Sequence, residues 1–457
     1  MHIVILGAGQ VGGTLAELLN DGTNNLSVVD IDNDLIRNLE ERLEGIHTTV
    51  GNAALPSTLE QANMASADML VAVTGSDEIN IVAAQVARSA FGTQKVIARI
   101  RAAEYPANSS FSDDFLQQIR IINPEAEVTR QIEQLLLHQN ALQVHSFADD
   151  LVSCVSFKAV AGREPTGQTV DELFSYRPLP NVRFLAVYRG YEPIAANTDT
   201  VQEGDELFAM TPSQNIDATL QLCTENPTPS RKICIAGGGH IGAALAEQLQ
   251  ESHIVRVIEY SKSRAVEAAR MLKDGVVYVG DATDVNKLKE CEISDTDLFC
   301  SVTNDDEINV MSCLLAKQHG TRRTVALLSK DSYLRLIHGT TIDAGISPQR
   351  STVSSILTHV REQNVKSAHR LRIGDAEILE IEIAGERGQN RVVGKSVSQI
   401  KLPKDAQLAA VVRNKSVLDL DSNPQLEMED HVVIFVGHSG QVPSALKPFR
   451  ASQFLFL

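Results

Sequence analysis

Ten residues near the start of the chain, Ile3-Val-Ile-Leu-Gly-Ala-Gly-Gln-Val-Gly12, return as Ile233-Cys-Ile-Ala-Gly-Gly-Gly-His-Ile-Gly242, a shift of 230. Val28-Val-Asp30 returns as Val257-Ile-Glu259, Gly51-Asn-Ala53 as Gly280-Asp-Ala282, and Val73-Thr-Gly-Ser-Asp-Glu-Ile-Asn80 as Val302-Thr-Asn-Asp-Asp-Glu-Ile-Asn309, all shifted by 229. Asn123-Pro124 against Ser347-Pro348, Gly167 against Gly394 and Gly204-Asp-Glu206 against Met428-Glu-Asp430 keep a similar spacing. Whatever the first copy folds into, the second must fold into as well, so the chain is a tandem duplication.

Within each copy, short runs rich in Val, Ile and Leu alternate with helical patterns of 10 to 15 residues. The runs at 3–6, 26–29, 69–73 and 96–100 have the continuous apolar character of strands buried on both faces. Alternation of this kind predicts right-handed crossovers and a parallel sheet. A helix is expected over 128–142, with Val128, Ile132, Leu135 and Leu136 on one face, leading away from the sheet. After it the pattern changes to strands at 151–160, 182–189 and 205–211, with a short helix at 169–174; 378–384, 408–413 and 431–437 repeat this module. The expected fold class is therefore α/β: two doubly wound Rossmann-type parallel sheets, each followed by a small α+β domain. The domains are placed at 1–125 with a crossover helix to 142, at 143–223, at 231–350 with a crossover helix to about 368, and at 369–457. The stretch 224–232, with its two prolines, reads as an exposed linker.

Composition removes several function classes. With 41 Lys and Arg against 58 Asp and Glu, the net charge of −17 speaks against a nucleic-acid reader and against direct lipid insertion. No stretch approaches the roughly 18 apolar residues of a membrane span. Gly7 and Gly9 interrupt the first apolar run, so no signal peptide is expected and the chain is placed in the cytoplasm. Cys154, Cys223, Cys234, Cys291, Cys300 and Cys313 lack metal-type spacing and read as buried, reduced thiols. No metal site is expected.

Gly7, Gly9 and Gly12 sit where a buried strand turns into a helix. The first permits the tight turn, the second lets backbone approach a pyrophosphate, and the third allows close helix-strand packing. Asp30 ends the second strand eighteen residues later, where a carboxylate accepts hydrogen bonds from an adenosine ribose. A 2′-phosphate would meet that charge, which disfavours NADP. Gly237, Gly239, Gly242 and Glu259 repeat the arrangement. NAD, ATP and ADP all present the same ribose, so Asp30 does not choose among them. Ala98-Arg-Ile-Arg101 against Ala326-Leu-Leu-Ser329 suggests a difference, because Arg99 and Arg101 could hold polyphosphate that the second copy cannot neutralise. The competing reading is a strand-end arginine paired with a carboxylate. Thr74-Gly75 and Thr303-Asn304 follow strands at the expected crevice and are candidate ligand-lining residues. Asn80 and Asn309 stand at helix starts, where capping competes with ligand contact. His240, in place of Gln10, has more the look of a structural than a catalytic histidine.

A dehydrogenase needs a proton donor or acceptor beside the nicotinamide. No Tyr-x-x-x-Lys, His-Glu-x-x-His, Gly-x-Ser-x-Gly or Gly-x-x-x-x-Gly-Lys-Ser/Thr occurs. Binding without turnover fits better than an NAD-dependent dehydrogenase or a soluble nucleotide or redox sensor, the two alternatives.

The order of these motifs, together with Ile346-Ser-Pro-Gln349, the stretch from Gly394 to Leu402 with Pro403, and the apolar tail Phe454-Leu-Phe-Leu457, resembles the regulator-of-potassium-conductance (RCK, or KTN) family over nearly the whole chain. The resemblance implies a cytosolic regulatory subunit, peripheral on the cytoplasmic face of the inner membrane, forming a ring, a homotetramer, under a membrane-embedded potassium transporter subunit of the Trk type. It implies NAD(H) as ligand, with ATP or ADP at the first site. The implied ligand residues are Gly7, Ala8, Gly9, Gln10, Val11, Asp30, Thr74, Gly75 and Arg99, and by repetition Gly237, Gly238, Gly239, His240, Ile241 and Glu259. Gly12, Asn52 and Arg101 complete the candidate set at the first loop, and Gly242, Asp281, Thr303 and Asn304 at the second. Asn52 departs from the family, where histidine or aspartate is usual. Phe449 and the tail 454–457 are expected either to touch a partner or to pack on the last module.

Overall fold

The computed structural model describes the chain apart from residues 21, 103, 108–117, 195–198, 225–229, 274, 338–339, 362–363, 372–374, 385–389 and 451–457. Most of the linker and the whole apolar tail lie outside the described residues. The chain divides into two compact units, 1–125 with 349–362, and 126–348 with 363–457.

In the first unit, β1 (His2–Leu6), β2 (Asn25–Asp30), β3 (His47–Val50), β4 (Met69–Ala72), β5 (Lys95–Arg99) and β6 (Arg120–Ile122) form one sheet in the order β3-β2-β1-β4-β5-β6. Every pairing is parallel. Order reverses between β2 and β4 on either side of β1, which opens a crevice at the carboxyl ends of the strands. Ile3, Ile5, Val28 and Val71 face one apolar layer and Val4, Leu6, Leu70 and Ala72 the other, as strands covered on both sides require. Val353, Ile356, Leu357 and Val360, from the helix Pro348–Val360, complete the first layer.

The second unit repeats the sheet with β12 (Lys232–Ala236), β13 (Ile254–Glu259), β14 (Val276–Val279), β15 (Leu298–Ser301), β16 (Arg323–Leu327) and β17 (Ala344–Ile346), in the order β14-β13-β12-β15-β16-β17. Here the covering helix is Pro124–Leu137, whose Val128, Ile132, Leu135 and Leu136 pack with Ile233, Ile235, Val257 and Leu298. Each crossover helix therefore covers the sheet of the other copy, not its own. The expected helix to 142 stops at Leu137, since Gln143–Phe147 forms a strand. Arg323 lies at that end: its guanidinium donates to the carbonyl of Leu135 at 2.6 Å and to that of Ala141. Burial pushes its pKa down to about 10.

The small modules are five-stranded antiparallel sheets. The first, β7 (Gln143–Phe147), β8 (Val152–Lys158), β9 (Arg183–Arg189), β10 (Glu192–Pro193) and β11 (Glu206–Pro212), runs β10-β9-β11-β8-β7. The second, β18 (Val365–Arg370), β19 (Glu377–Glu382), β20 (Ala406–Arg413), β21 (Ser416–Val417) and β22 (His431–Val436), runs β18-β19-β22-β20-β21. The edge strands β7 and β18 were not foreseen; the second crossover helix, expected to about 368, stops at Val360, and Val365–Arg370 is strand instead. A capping box starts the helix Val170–Ser175: Thr169 accepts from the amide of Glu172 at 3.3 Å and its own amide donates to the Glu172 carboxylate at 2.8 Å.

The two modules share one apolar layer containing Phe147, Leu185, Phe208, Ile378, Ala410 and Phe435. His145 and His369, equivalent in the repeat, stack at 4.5 Å with an interplanar angle of 27°. Burial holds both imidazoles below their usual pKa, His145 well below and His369 at about 4. All six cysteines are free and buried. Phe449 takes the second of the two places expected for it, fully buried in the last module's core with Val392, Leu426 and Ile434.

Candidate functional site

The first glycine loop is held by contacts that leave no room for side chains on its inner face. Gly7 has φ +106°, and its amide donates to the Val29 carbonyl at 2.7 Å. A Cβ on Gly12 would lie 1.7 Å from the Gly7 carbonyl oxygen, so the helix Gln10–Leu19 could not pack this closely on β1 with any other residue there. A Cβ on Gly9 would meet no protein atom within 4 Å. That glycine is thus not demanded by internal packing, and the space beside it is open to an approaching phosphate.

Asp30 fastens the loop to β2. Its carboxylate accepts from the Ala8 amide at 2.6 Å and from the Asp32 amide at 2.9 Å. In the second copy Glu259 does the same, accepting from Gly238 and Ser261 amides at 2.7 Å each. The longer side chain explains a difference that looks neutral in the sequence. A Cβ on Gly238 would fall 3.2 to 3.3 Å from the Glu259 side chain, so the extra methylene of glutamate takes the room occupied by the Ala8 methyl in copy one. Gly237, with φ +105°, and Gly242, whose Cβ would lie 1.8 Å from the Gly237 carbonyl, reproduce the first loop.

Across the crevice, Thr74 and Gly75 follow β4. Thr74 is positioned by Asn80, whose Oδ1 accepts from the Thr74 amide at 2.9 Å and hydroxyl at 2.7 Å, and whose Nδ2 donates to the carbonyls of Thr74 at 3.3 Å and Arg99 at 2.9 Å. Asn309 makes the same bridge between Thr303 and Leu327, at 2.9, 2.7, 3.0 and 2.8 Å, and also accepts from Ser301 at 2.9 Å. Both asparagines are fully buried. The capping reading for them is wrong: Ser76 and Asp305 cap these helices, accepting from Ile79 at 3.2 Å and Ile308 at 2.9 Å. One turn further in, the asparagine side chain turns back to the strand ends.

The two arginines separate. Arg101 is spent on protein, with Asp77 at 3.3 Å and the Gly75 carbonyl at 2.6 Å, as the ion-pair alternative expected. Arg99 donates only a long 3.3 Å bond to the Thr74 carbonyl, and its buried Nε has no partner among the described residues. Burial and the neighbouring Arg101 charge lower its pKa. Of the two, Arg99 is the one with donors to spare for an anion.

Asn52 and Asp281 have local roles, accepting from the amides of Ala54 at 2.9 Å and Thr283 at 2.8 Å. Gln10 and His240 are exposed at the starts of their helices, Val11 is buried, Ile241 is half-buried, and Asn304 is exposed. Two residues escaped the sequence reading. Ile31 and Tyr260, directly after Asp30 and Glu259, are 74% and 79% exposed, large side chains left in solvent at the carboxyl ends of β2 and β13. The signal available was an apolar residue in a polar turn. The other surprise is Gln349: its Nε2 donates to the Gln10 carbonyl and to the Thr14 hydroxyl, both at 3.0 Å, so the start of the second crossover helix touches the first glycine loop.

The TrkA-N domain model matches residues 3–121 and again 233–348, the two parallel sheets. The Trk system potassium uptake protein TrkA of Halomonas elongata is 41% identical over 100% of both chains, and that of Vibrio alginolyticus is 38% identical over 99% of this chain and 100% of its own. The chain belongs to the TrkA family. Among solved structures, the GsuK RCK domain matches with a TM-score of 0.58 at 19% identity, covering 98% of this chain and 94% of that one. A GsuK channel structure bound to NAD matches with a TM-score of 0.55 at 18% identity, over 98% and 78%. These two likenesses are of fold, and they place this TrkA family member's alternating sheets in the RCK architecture. No described helix of the chain is long and apolar enough to cross a membrane.

Proposed function

We propose that this chain is the cytoplasmic, nucleotide-sensing regulatory subunit of a Trk-type potassium uptake system, without catalytic activity of its own. The observation that carries the reading is the duplicated crevice: a tight glycine loop tied to the second strand of its sheet by a carboxylate, facing a threonine tied to the neighbouring strand end by a buried asparagine. NAD(H) is the ligand assigned to both loops, in keeping with the NAD-bound GsuK channel. The first is also assigned ATP or ADP, with Arg99 holding the terminal phosphates. Both carboxylates are committed to backbone amides, which suits retention of a ligand better than proton transfer.

A nucleotide moves a partner only through a difference in affinity between two arrangements of the assembly. Gln349 supplies a route. A ligand that shifts the Gln10 carbonyl also shifts the helix Pro348–Val360, which continues covalently into the second small module. A tenfold preference per site is worth about 1.4 kcal/mol, and a homotetrameric ring docked on the membrane subunit would sum several such sites.

The test is potassium flux through the purified membrane complex against nucleotide concentration, in wild type and Gln349→Ala. The expected result is nucleotide-dependent flux whose range shrinks in the variant while binding persists. Flux indifferent to bound nucleotide, or steady oxidation of NADH by the purified chain, would overturn the reading. For the site preference, calorimetry of Arg99→Ala should show ADP weakened at the first loop and unchanged at the second.

A further inference from the structure

Two side chains tie the second sheet to the first small module and to the chain that enters it. Tyr191, in the turn between β9 and β10, donates its hydroxyl at 2.7 Å to the Leu334 carbonyl. That carbonyl lies in the last turn of the helix Asp331–Ile337, where carbonyls have no partner within the helix. Arg323, at the start of β16, donates to the Leu135 and Ala141 carbonyls, at the end of the helix Pro124–Leu137 and just ahead of β7. The repeat does not reproduce either residue. Sheet register matches Arg323 with Lys95, and the paired arginines Arg189 and Arg413 match Tyr191 with Lys415; both lysines are exposed. One apolar layer backs the two ties, with Ile233, Val257 and Leu298 of the sheet beside Val155, Phe157 and Leu207 of the module. The two layers of the first sheet hold no described residue of a small module.

Both ties begin on elements that build the second crevice. Leu327, at the opposite end of β16 from Arg323, accepts from Asn309, the residue that also holds Thr303. Asp306 accepts from the Ser329 and Lys330 amides at 2.9 Å each, and Lys330 stands directly before the helix that carries Leu334. A ligand that draws Thr303 toward the glycines therefore pulls on β16 and on this helix together. Close-packed neighbours do not absorb such a shift without moving themselves.

We propose that occupancy of the second glycine loop is read by the first small module, with Tyr191 and Arg323 as the positioning residues that carry it. The inference rests on the dinucleotide reading of that loop and extends it, since the Gln349 route leads from the first loop into the second small module. Each loop then acts on the module of the other copy. By linkage, a partner that binds the first module in its tied arrangement raises affinity at the second loop by the same factor.

Hydrogen exchange with mass spectrometry on the full chain, with and without NAD, tests the coupling. Gly12→Ala serves to silence the first loop and Gly242→Ala the second. In the wild type and in Gly12→Ala, NAD should slow exchange at 237–242, and also over 183–193 and 143–147 by about fivefold, the worth of one hydrogen bond. Gly242→Ala should abolish the slowing in both module segments while 7–12 still responds. Tyr191→Phe keeps the ring and its packing and removes only the hydroxyl. In that variant 237–242 should respond as before, and 143–147, tied through Arg323, should keep its response, while the NAD-dependent slowing over 183–193 is lost. A hydroxyl of purely structural use would change exchange there equally with and without NAD. No slowing of the module in the wild type, slowing that survives Gly242→Ala, or an undiminished response over 183–193 in Tyr191→Phe overturns the coupling and leaves the dinucleotide reading standing. No response at 237–242 in the wild type overturns both.

Discussion

Replacing Asn80 by alanine removes four hydrogen bonds that hold the Thr74 turn to the end of β5, at 2.9, 2.7, 3.3 and 2.9 Å. The Thr74 hydroxyl can turn to another partner, since it also donates to the Ser76 carbonyl at 3.2 Å. The Thr74 amide and the Arg99 carbonyl lose the groups that Asn80 brings to them inside the protein. Each such loss costs about 1 to 3 kcal/mol, so the local structure should weaken by about 3 kcal/mol. In hydrogen exchange this is roughly a hundredfold faster opening of peptides covering β4 and β5. The second sheet has its own bridge through Asn309 and should keep its protection. Nucleotide affinity at the first loop should fall with it, because the wall of the crevice opposite the glycines is no longer positioned. An acceleration below tenfold, or equal loss of protection in β15 and β16, would refute the idea that this asparagine is what holds the turn.

Three further outcomes follow from the same geometry. Gly238→Ala should destabilise the second sheet by about 1 to 2 kcal/mol through its contact with Glu259, and adding Glu259→Asp should restore most of the loss; a double-mutant cycle with no coupling would contradict the compensation. Gly12→Ala puts a carbon 1.7 Å from the Gly7 carbonyl, so the helix must move by more than 1 Å and calorimetry should find the first loop unable to bind nucleotide. Burial, with the Arg130 charge and, for His145, the His369 charge secondary, keeps the His145–His369 stack neutral, so the unfolded chain binds more protons than the folded one below pH 6.5. Stability should then fall as pH drops from about 6.5 towards 4, with the lowering of His369 to about 4 worth roughly 3 kcal/mol. Urea titration of His369→Phe should show a flatter pH dependence over that window, and an unchanged slope would count against the buried pair.

Much of the crevice was legible because its chemistry is local. A glycine that permits φ +106° and a carboxylate that closes the next strand are each fixed by a few adjacent residues. The roles of Asn80 and Asn309 were not legible. Their side chains bond strand ends that are distant in the chain, and a motif at a helix start suggests a cap to any reading that stops at neighbours. The split between Arg99 and Arg101 was equally hidden, since it depends on Asp77 approaching one guanidinium and not the other.

By itself the sequence determined the duplication, the parallel sheets and the two glycine loops, because apolar period and turn chemistry are encoded within each segment. Only the tertiary structure decided that each crossover helix covers the other copy's sheet, that Gln349 meets the first loop, and that β7 and β18 bring His145 against His369. Periodicity tells a helix that one face must be buried. It does not say against what, and that choice belongs to packing between segments distant in the chain.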